Sequence, residues 1–193
     1  MKKAGNSRIL MLFFLLLVCA VWGCSKGQSS KPFTVGVVNL NKELDKVFLG
    51  FKGRLAALGY VEGQNINYIY NGPSSNLSDL ESDLNEFIQR DVDLIFSLTT
   101  PATQKTKLMT RGTGIPVVFA PVFDPVRAGI VESLMKPGSN LTGIKVGGNS
   151  SKALDWFLKI NPQVKNILVP FNNNNMAAVL SLEDLQKAAE KLG

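Results

Sequence analysis

The chain has 193 residues, 45% of them hydrophobic and 19% charged, with a formal net charge of +6. Three of the 21 Lys and Arg fall within the first eight residues, leaving 18 against 15 acids, and no basic run marks a nucleic-acid surface. Histidine is absent, and there is no paired-carboxylate or metal-ligand spacing, dinucleotide-type glycine loop or Gly-Lys-Ser/Thr phosphate loop, so no catalytic residue, metal or cofactor is expected.

Lys2, Lys3 and Arg8 open the chain, and an apolar run over residues 9–21 follows, which is the layout of a signal peptide. The run falls short of the roughly 20 apolar residues that a membrane-crossing helix needs. The junction Val21-Trp22-Gly23-Cys24 resembles the lipobox of bacterial lipoproteins, in which a small residue precedes a cysteine that is acylated and becomes the new N-terminus. That resemblance implies a removed signal peptide over 1–23, lipidation at Cys24 and a polar, flexible spacer over 24–32. The expected location is the cell envelope, extracytoplasmic and tethered to a membrane. Cys19 leaves with the signal, no disulfide remains available, and stability must come from packing.

From Phe33 onward, short β-branched runs alternate with segments of helical period. Residues 33–40 form a nearly continuous apolar run, as in a strand buried on both faces. A helix over 44–58 follows from Leu44, Val47, Phe48, Phe51, Leu55 and Leu58, and Gly59 ends it in a left-handed cap. A strand over 66–70, a turn at Asn71-Gly72-Pro73 and a helix over 77–88 come next. Then a strand over 93–98, a short helix opening at Pro101, a strand over 116–122 and a short helix over 126–135 complete the expected first lobe, 33–140. Residues 141–193 read as a crossover and a partial second lobe: a connecting strand over 141–146, a helix over 151–159, a buried strand over 164–171 and a helix over 182–192. The alternation predicts a doubly wound α/β fold with a parallel sheet and right-handed crossovers. The second lobe reads as incomplete, with open edges that would make the isolated chain marginal in solution.

Several phrases, in order along the chain, carry a family resemblance: Leu58-Gly59-Tyr60-Val61-Glu62-Gly63-Gln64-Asn65, Asp93-Leu94-Ile95, Thr100-Pro101-Ala102, Ile115-Pro116-Val117-Val118-Phe119, Asp124-Pro125-Val126 and Pro137-Gly138-Ser139-Asn140-Leu141-Thr142-Gly143. Together they resemble the solute-binding lipoproteins of ABC importers, in the subgroup with tryptophan- and phenylalanine-binding members. The resemblance implies a periplasmic-binding-protein-like fold of two doubly wound parallel-sheet lobes that close on a small amino-acid-like solute and deliver it to an ABC permease. Two alternatives remain open: the ligand-sensing part of a signalling receptor, or a non-functional fragment of a split gene.

Ligands of open α/β sheets sit beyond the carboxyl ends of the strands. The loop after the first strand offers Asn39. After the third strand, Thr99 and Thr100 precede a helix whose first amides, at Ala102 and Thr103, suit a carboxylate; an ordinary N-cap explains the same residues. After the fourth strand, Phe123 offers a ring for stacking or core filling, and Asp124 before Pro125 is a candidate contact that capping also accounts for. Asn172 follows the second-lobe strand, where a solvated turn is the competing explanation. The family resemblance adds that relatives often carry glycine at the position of Thr99 and a small or hydroxyl residue at that of Phe123.

Overall fold

The computed structural model describes residues 31–192; the expected signal peptide, Cys24 and the spacer up to residue 30 lie outside the described residues. Strands form where the apolar runs stand: β1 (Phe33–Asn39), β2 (Ile66–Ile69), β3 (Leu94–Leu98) and β4 (Val117–Val122). A fifth, β5 (Leu141–Lys145), pairs with β4 along the edge of the same sheet. The order is β2-β1-β3-β4-β5 and every pairing is parallel. Among the described residues, five α-helices complete the body: α1 (Asp45–Ala57), preceded by a 3-10 turn at Lys42–Leu44, α2 (Leu77–Gln89), α3 (Thr100–Met109), α4 (Ser150–Ile160) and α5 (Met176–Leu192).

Alternation of side chains along the strands sends two apolar sets to opposite faces. Val35, Val37, Phe96 and Leu98 meet α1, where Phe48 is buried and Val47, Phe51 and Leu55 pack beside it. Phe51 stacks on Phe96 with ring centroids 4.3 Å apart. On the other face, Val38, Ile95, Val117 and Phe119 receive Leu80, Leu84 and Phe87 of α2, Ala102 of α3 and Leu180 of α5. The ring of Phe87 occupies the space left by Gly36 in β1, where a Cβ would stand 2.4 Å from Cδ2. Helix ends follow their sequence signals. Asn76 Oδ1 accepts from the amides of Ser78 and Asp79 at 2.8 and 3.0 Å, and Gly59 ends α1 at a φ of +94°.

Two expected elements are absent, and a third starts early. Residues 126–135 do not form a helix. The amides of Ile130 and Val131 both donate to Pro125 O, Gly129 takes a φ of +67°, and Ser133 and Lys136 close a separate turn. The pattern misled because Ile130 and Val131, adjacent in sequence, are both buried, whereas Leu134 and Met135 are exposed. Residues 164–171 form no strand either. They pair with no neighbour among the described residues, and Leu168 is 94% exposed where a buried strand was expected. β-propensity reports fit to a pleated, partnered surface, and an apolar run without a partner backbone does not supply one. The last helix begins at Met176, six residues before its expected start.

Candidate functional site

The strand order reverses between β1 and β3, so the loops that follow them diverge from a common edge of the sheet, the place where open α/β sheets form a crevice. Asn39 and Leu98, the last residues of these strands, are register partners. Asn39 and the Thr99-Thr100 turn therefore emerge side by side, with Phe123 and Asp124 leaving β4 one strand further on.

Asn39 is fully buried. Its Nδ2 donates to Asn41 O at 2.8 Å and to Asp45 Oδ1 at 2.9 Å, with Tyr70 Oη at 3.4 Å, while its Oδ1 accepts from the Asn41 amide at 2.9 Å. Tyr70 donates to the same Asp45 oxygen. The carboxamide thus holds the turn after β1 rather than presenting itself to solvent. Burial, followed by the hydrogen bond to Asp45, pushes the Tyr70 hydroxyl up to about 12, against a smaller lowering by Asn39.

The turn after β3 is strained. Thr99 adopts φ 84° and ψ 153°, in the region that is essentially restricted to glycine and is most costly for a β-branched residue. Its Oγ1 accepts from the Ala102 amide at 3.3 Å, and its carbonyl accepts from the Thr103 amide at 3.1 Å and the Thr103 hydroxyl at 2.7 Å. Both amides expected to receive a carboxylate therefore have internal partners here, as the capping explanation requires. Thr100, 3% exposed, accepts from the Phe123 amide at 3.3 Å and so ties the β3 loop to the β4 loop.

Phe123 is half-buried against the core, and its carbonyl accepts from the Gly147 amide at 2.8 Å. A Cβ at Gly147 would stand 2.3 Å from that carbonyl oxygen, so glycine permits the approach. Asp124 caps the turn that follows: its Oδ1 accepts from the Val126 and Arg127 amides at 3.2 and 3.1 Å, and Oδ2 pairs with Lys145 at 2.9 Å. Burial opposes ionisation of Asp124, but Lys145 and the two amides outweigh it and hold the carboxyl below its ordinary value. Arg127 forks onto Glu183 and Asp184 of α5. Asn172 is exposed, and its Oδ1 accepts from the Asn174 amide at 2.9 Å. That is the solvated turn; among the described residues no hydrogen bond joins Asn172 to the β1, β3 or β4 loops.

Sequence reading missed Asp45, Tyr70, Ser97 and Thr106. Ser97 Oγ lies 3.0 Å from Thr103 Oγ1 and 3.4 Å from Thr106 Oγ1, and all three residues are fully buried. The recurrence of threonine at 99, 103, 106 and 110 is a visible helical stripe that marks the α3 part of this cluster. Nothing local joins Asp45 to Tyr70. Among the described residues no group of three or more His, Cys, Asp or Glu is placed to hold a metal, and no helix is long and apolar enough to cross a membrane.

A family model described as ABC transporter substrate binding protein matches residues 35–193. A protein of Clostridioides difficile (strain R20291) named tyrosine-binding protein is 30% identical over 205 residues, covering 99% of this chain and 59% of that protein. Among solved structures, a conserved domain protein from Vibrio cholerae shares 29% identity at a TM-score of 0.78, over 85% of this chain and 55% of that one. The ABC domain from Streptococcus pneumoniae in complex with L-Trp shares 26% identity at a TM-score of 0.76, over 84% and 55%. A ligand-free, open substrate-binding protein with adhesive properties from Clostridium difficile shares 30% identity at a TM-score of 0.66, over 82% and 54%. The chain spans between about half and three-fifths of these relatives.

Proposed function

This chain belongs to the ABC transporter substrate-binding protein family, and from that premise we propose that it forms part of a receptor for an aromatic amino acid. The solute sits against the loops after β1, β3 and β4, between the lobe built on the five-stranded sheet and a second lobe. Closure of the two lobes commits the solute to a permease. Lipidation at Cys24, after removal of residues 1–23, holds the protein at the extracytoplasmic side of a membrane.

The observation that carries this reading is the convergence of Asn39, Thr99, Thr100 and Phe123 at the carboxyl edge of a parallel sheet, next to its point of reversal. The names of two relatives, one tyrosine-binding and one holding L-Trp, support the ligand class. An aromatic solute is also consistent with the half-buried ring of Phe123 at the start of the loop after β4.

Isothermal titration of the full chain with L-tyrosine, L-tryptophan and L-phenylalanine, beside L-lysine and L-glutamate, tests it. Saturable heat with an aromatic amino acid and none with the charged pair is the expected outcome. Heat from the charged pair alone, or from no amino acid, rejects the aromatic assignment. Incorporation of radiolabelled palmitate into the precursor, lost in Cys24→Ser, tests the anchor separately.

A further inference from the structure

We infer that Thr103 is a positioning residue of the solute-binding turn: its buried hydroxyl, backed by Ser97, holds the Thr99 carbonyl in a backbone conformation that threonine does not adopt unaided. The inference rests on the proposed solute-binding role for its functional consequence, but its structural core stands on the hydrogen bonds alone.

Thr99 joins the end of β3 to the first turn of α3 at φ 84° and ψ 153°. Such a conformation persists only where the surroundings over-determine it. The surroundings here are specific. The Thr99 carbonyl takes two donors from one residue, the Thr103 amide at 3.1 Å and the Thr103 hydroxyl at 2.7 Å. A threonine hydroxyl has one proton, and that of Thr103 goes to Thr99 O. The 3.0 Å contact with Ser97 Oγ is therefore a bond that Ser97 donates and Thr103 accepts. Thr106 donates its own proton to Ala102 O at 2.9 Å and so can only accept from Ser97, but its contact with Ser97 is the longer one, 3.4 Å against 3.0 Å, and the single Ser97 proton goes to Thr103.

Ser97, Thr103 and Thr106 are all fully buried between β3 and α3. Backbonding from threonine to the carbonyl four residues earlier is common in helices and by itself says little. What distinguishes Thr103 is that its acceptor is the strained residue, and that a second buried hydroxyl orients it. Thr103, expected from the sequence to touch the solute through its amide, instead acts through Thr99.

The test is a double-mutant cycle in the full chain, with Thr103→Val (same shape, no hydroxyl), Thr103→Ser (hydroxyl kept), Thr99→Gly (conformation allowed without support) and T99G/T103V. The first readout needs no solute. T103V should lower the urea midpoint at least twice as much with threonine at position 99 as in the T99G background. Equal losses in the two backgrounds overturn the inference. The second readout is affinity for the aromatic amino acid that binds the unmodified chain: T103V is expected to weaken it about tenfold, T103S to leave it within about twofold, and T99G/T103V to recover most of the loss. Affinity that survives T103V, or that T103S fails to preserve, also overturns it. An unmodified chain that binds no aromatic amino acid refutes the functional reading, while the urea cycle still decides the role of Thr103.

Discussion

Replacing Asn39 with alanine separates a residue that builds the site from one that touches solute. The substitution removes two bonds to the Asn41 backbone, at 2.8 and 2.9 Å, and one to Asp45 Oδ1 at 2.9 Å. A neutral hydrogen bond contributes about 1 kcal/mol net, and one to a charged acceptor about 1.5–3 kcal/mol. Asn41 is exposed and recovers water, while Asp45 keeps Tyr70 as a donor, so the low end of the sum applies. The expected loss is about 3 kcal/mol, mostly from the buried carboxamide and its carboxylate partner. For a chain of this size that corresponds to a fall in Tm of roughly 6–12 °C. Urea unfolding followed by circular dichroism measures it, with Asn172→Ala as a surface comparison expected to stay within about 0.5 kcal/mol. If N39A loses less than about 1 kcal/mol and yet abolishes solute binding, Asn39 is a solute ligand and its structural assignment is wrong.

Gly36→Ala should destabilise by about 1–3 kcal/mol, because a Cβ there meets three ring carbons of Phe87 within 2.7 Å and both the strand and the helix resist displacement; Phe87→Leu in the same chain should recover part of the loss. Asp124 has a depressed pKa in the folded state, so its contribution to stability is complete above the ordinary value of 3.8 and fades as pH falls through the lower folded value. Asp124→Ala should accordingly flatten the acid limb of the stability profile below about pH 4, and an unchanged limb would disprove the pairing with Lys145. Tyr70, raised to about 12, should stay un-ionised above pH 10.0, the ordinary value for a tyrosine hydroxyl. Its stabilising bond to Asp45 is fully present below pH 10.0 and lost as pH rises through about 12. An ultraviolet tyrosinate titration in which the step lost in Tyr70→Phe falls near pH 10.0 would contradict the burial of this hydroxyl.

The loops of the candidate site were legible to different depths. Thr99 and Thr100 stood out because hydroxyl residues before a proline-bearing helical segment signal a cap, and the structure does place Thr99 there. Its positive φ left no trace in the sequence, since a threonine announces an extended or helical backbone. Asp124 was readable as a capping acid, and it caps a turn although the helix expected after it is missing. The partner that depresses its pKa, Lys145, lies 21 residues away, and only the pairing of β4 with β5 brings the two together.

By itself the sequence determined the local periods. Continuous β-branched runs became β1 to β4, and apolar residues at helical spacing became α1, α2 and α4, because each pattern suits only one backbone geometry. Only the tertiary structure decided which apolar segments found a partner. Residues 141–145 gained the free edge of β4 and became a strand; residues 164–171, the more apolar of the two, have no pairing among the described residues and did not. A strand is completed by hydrogen bonds to another segment, and a helix by bonds within itself, so the first is never fully written in its own residues.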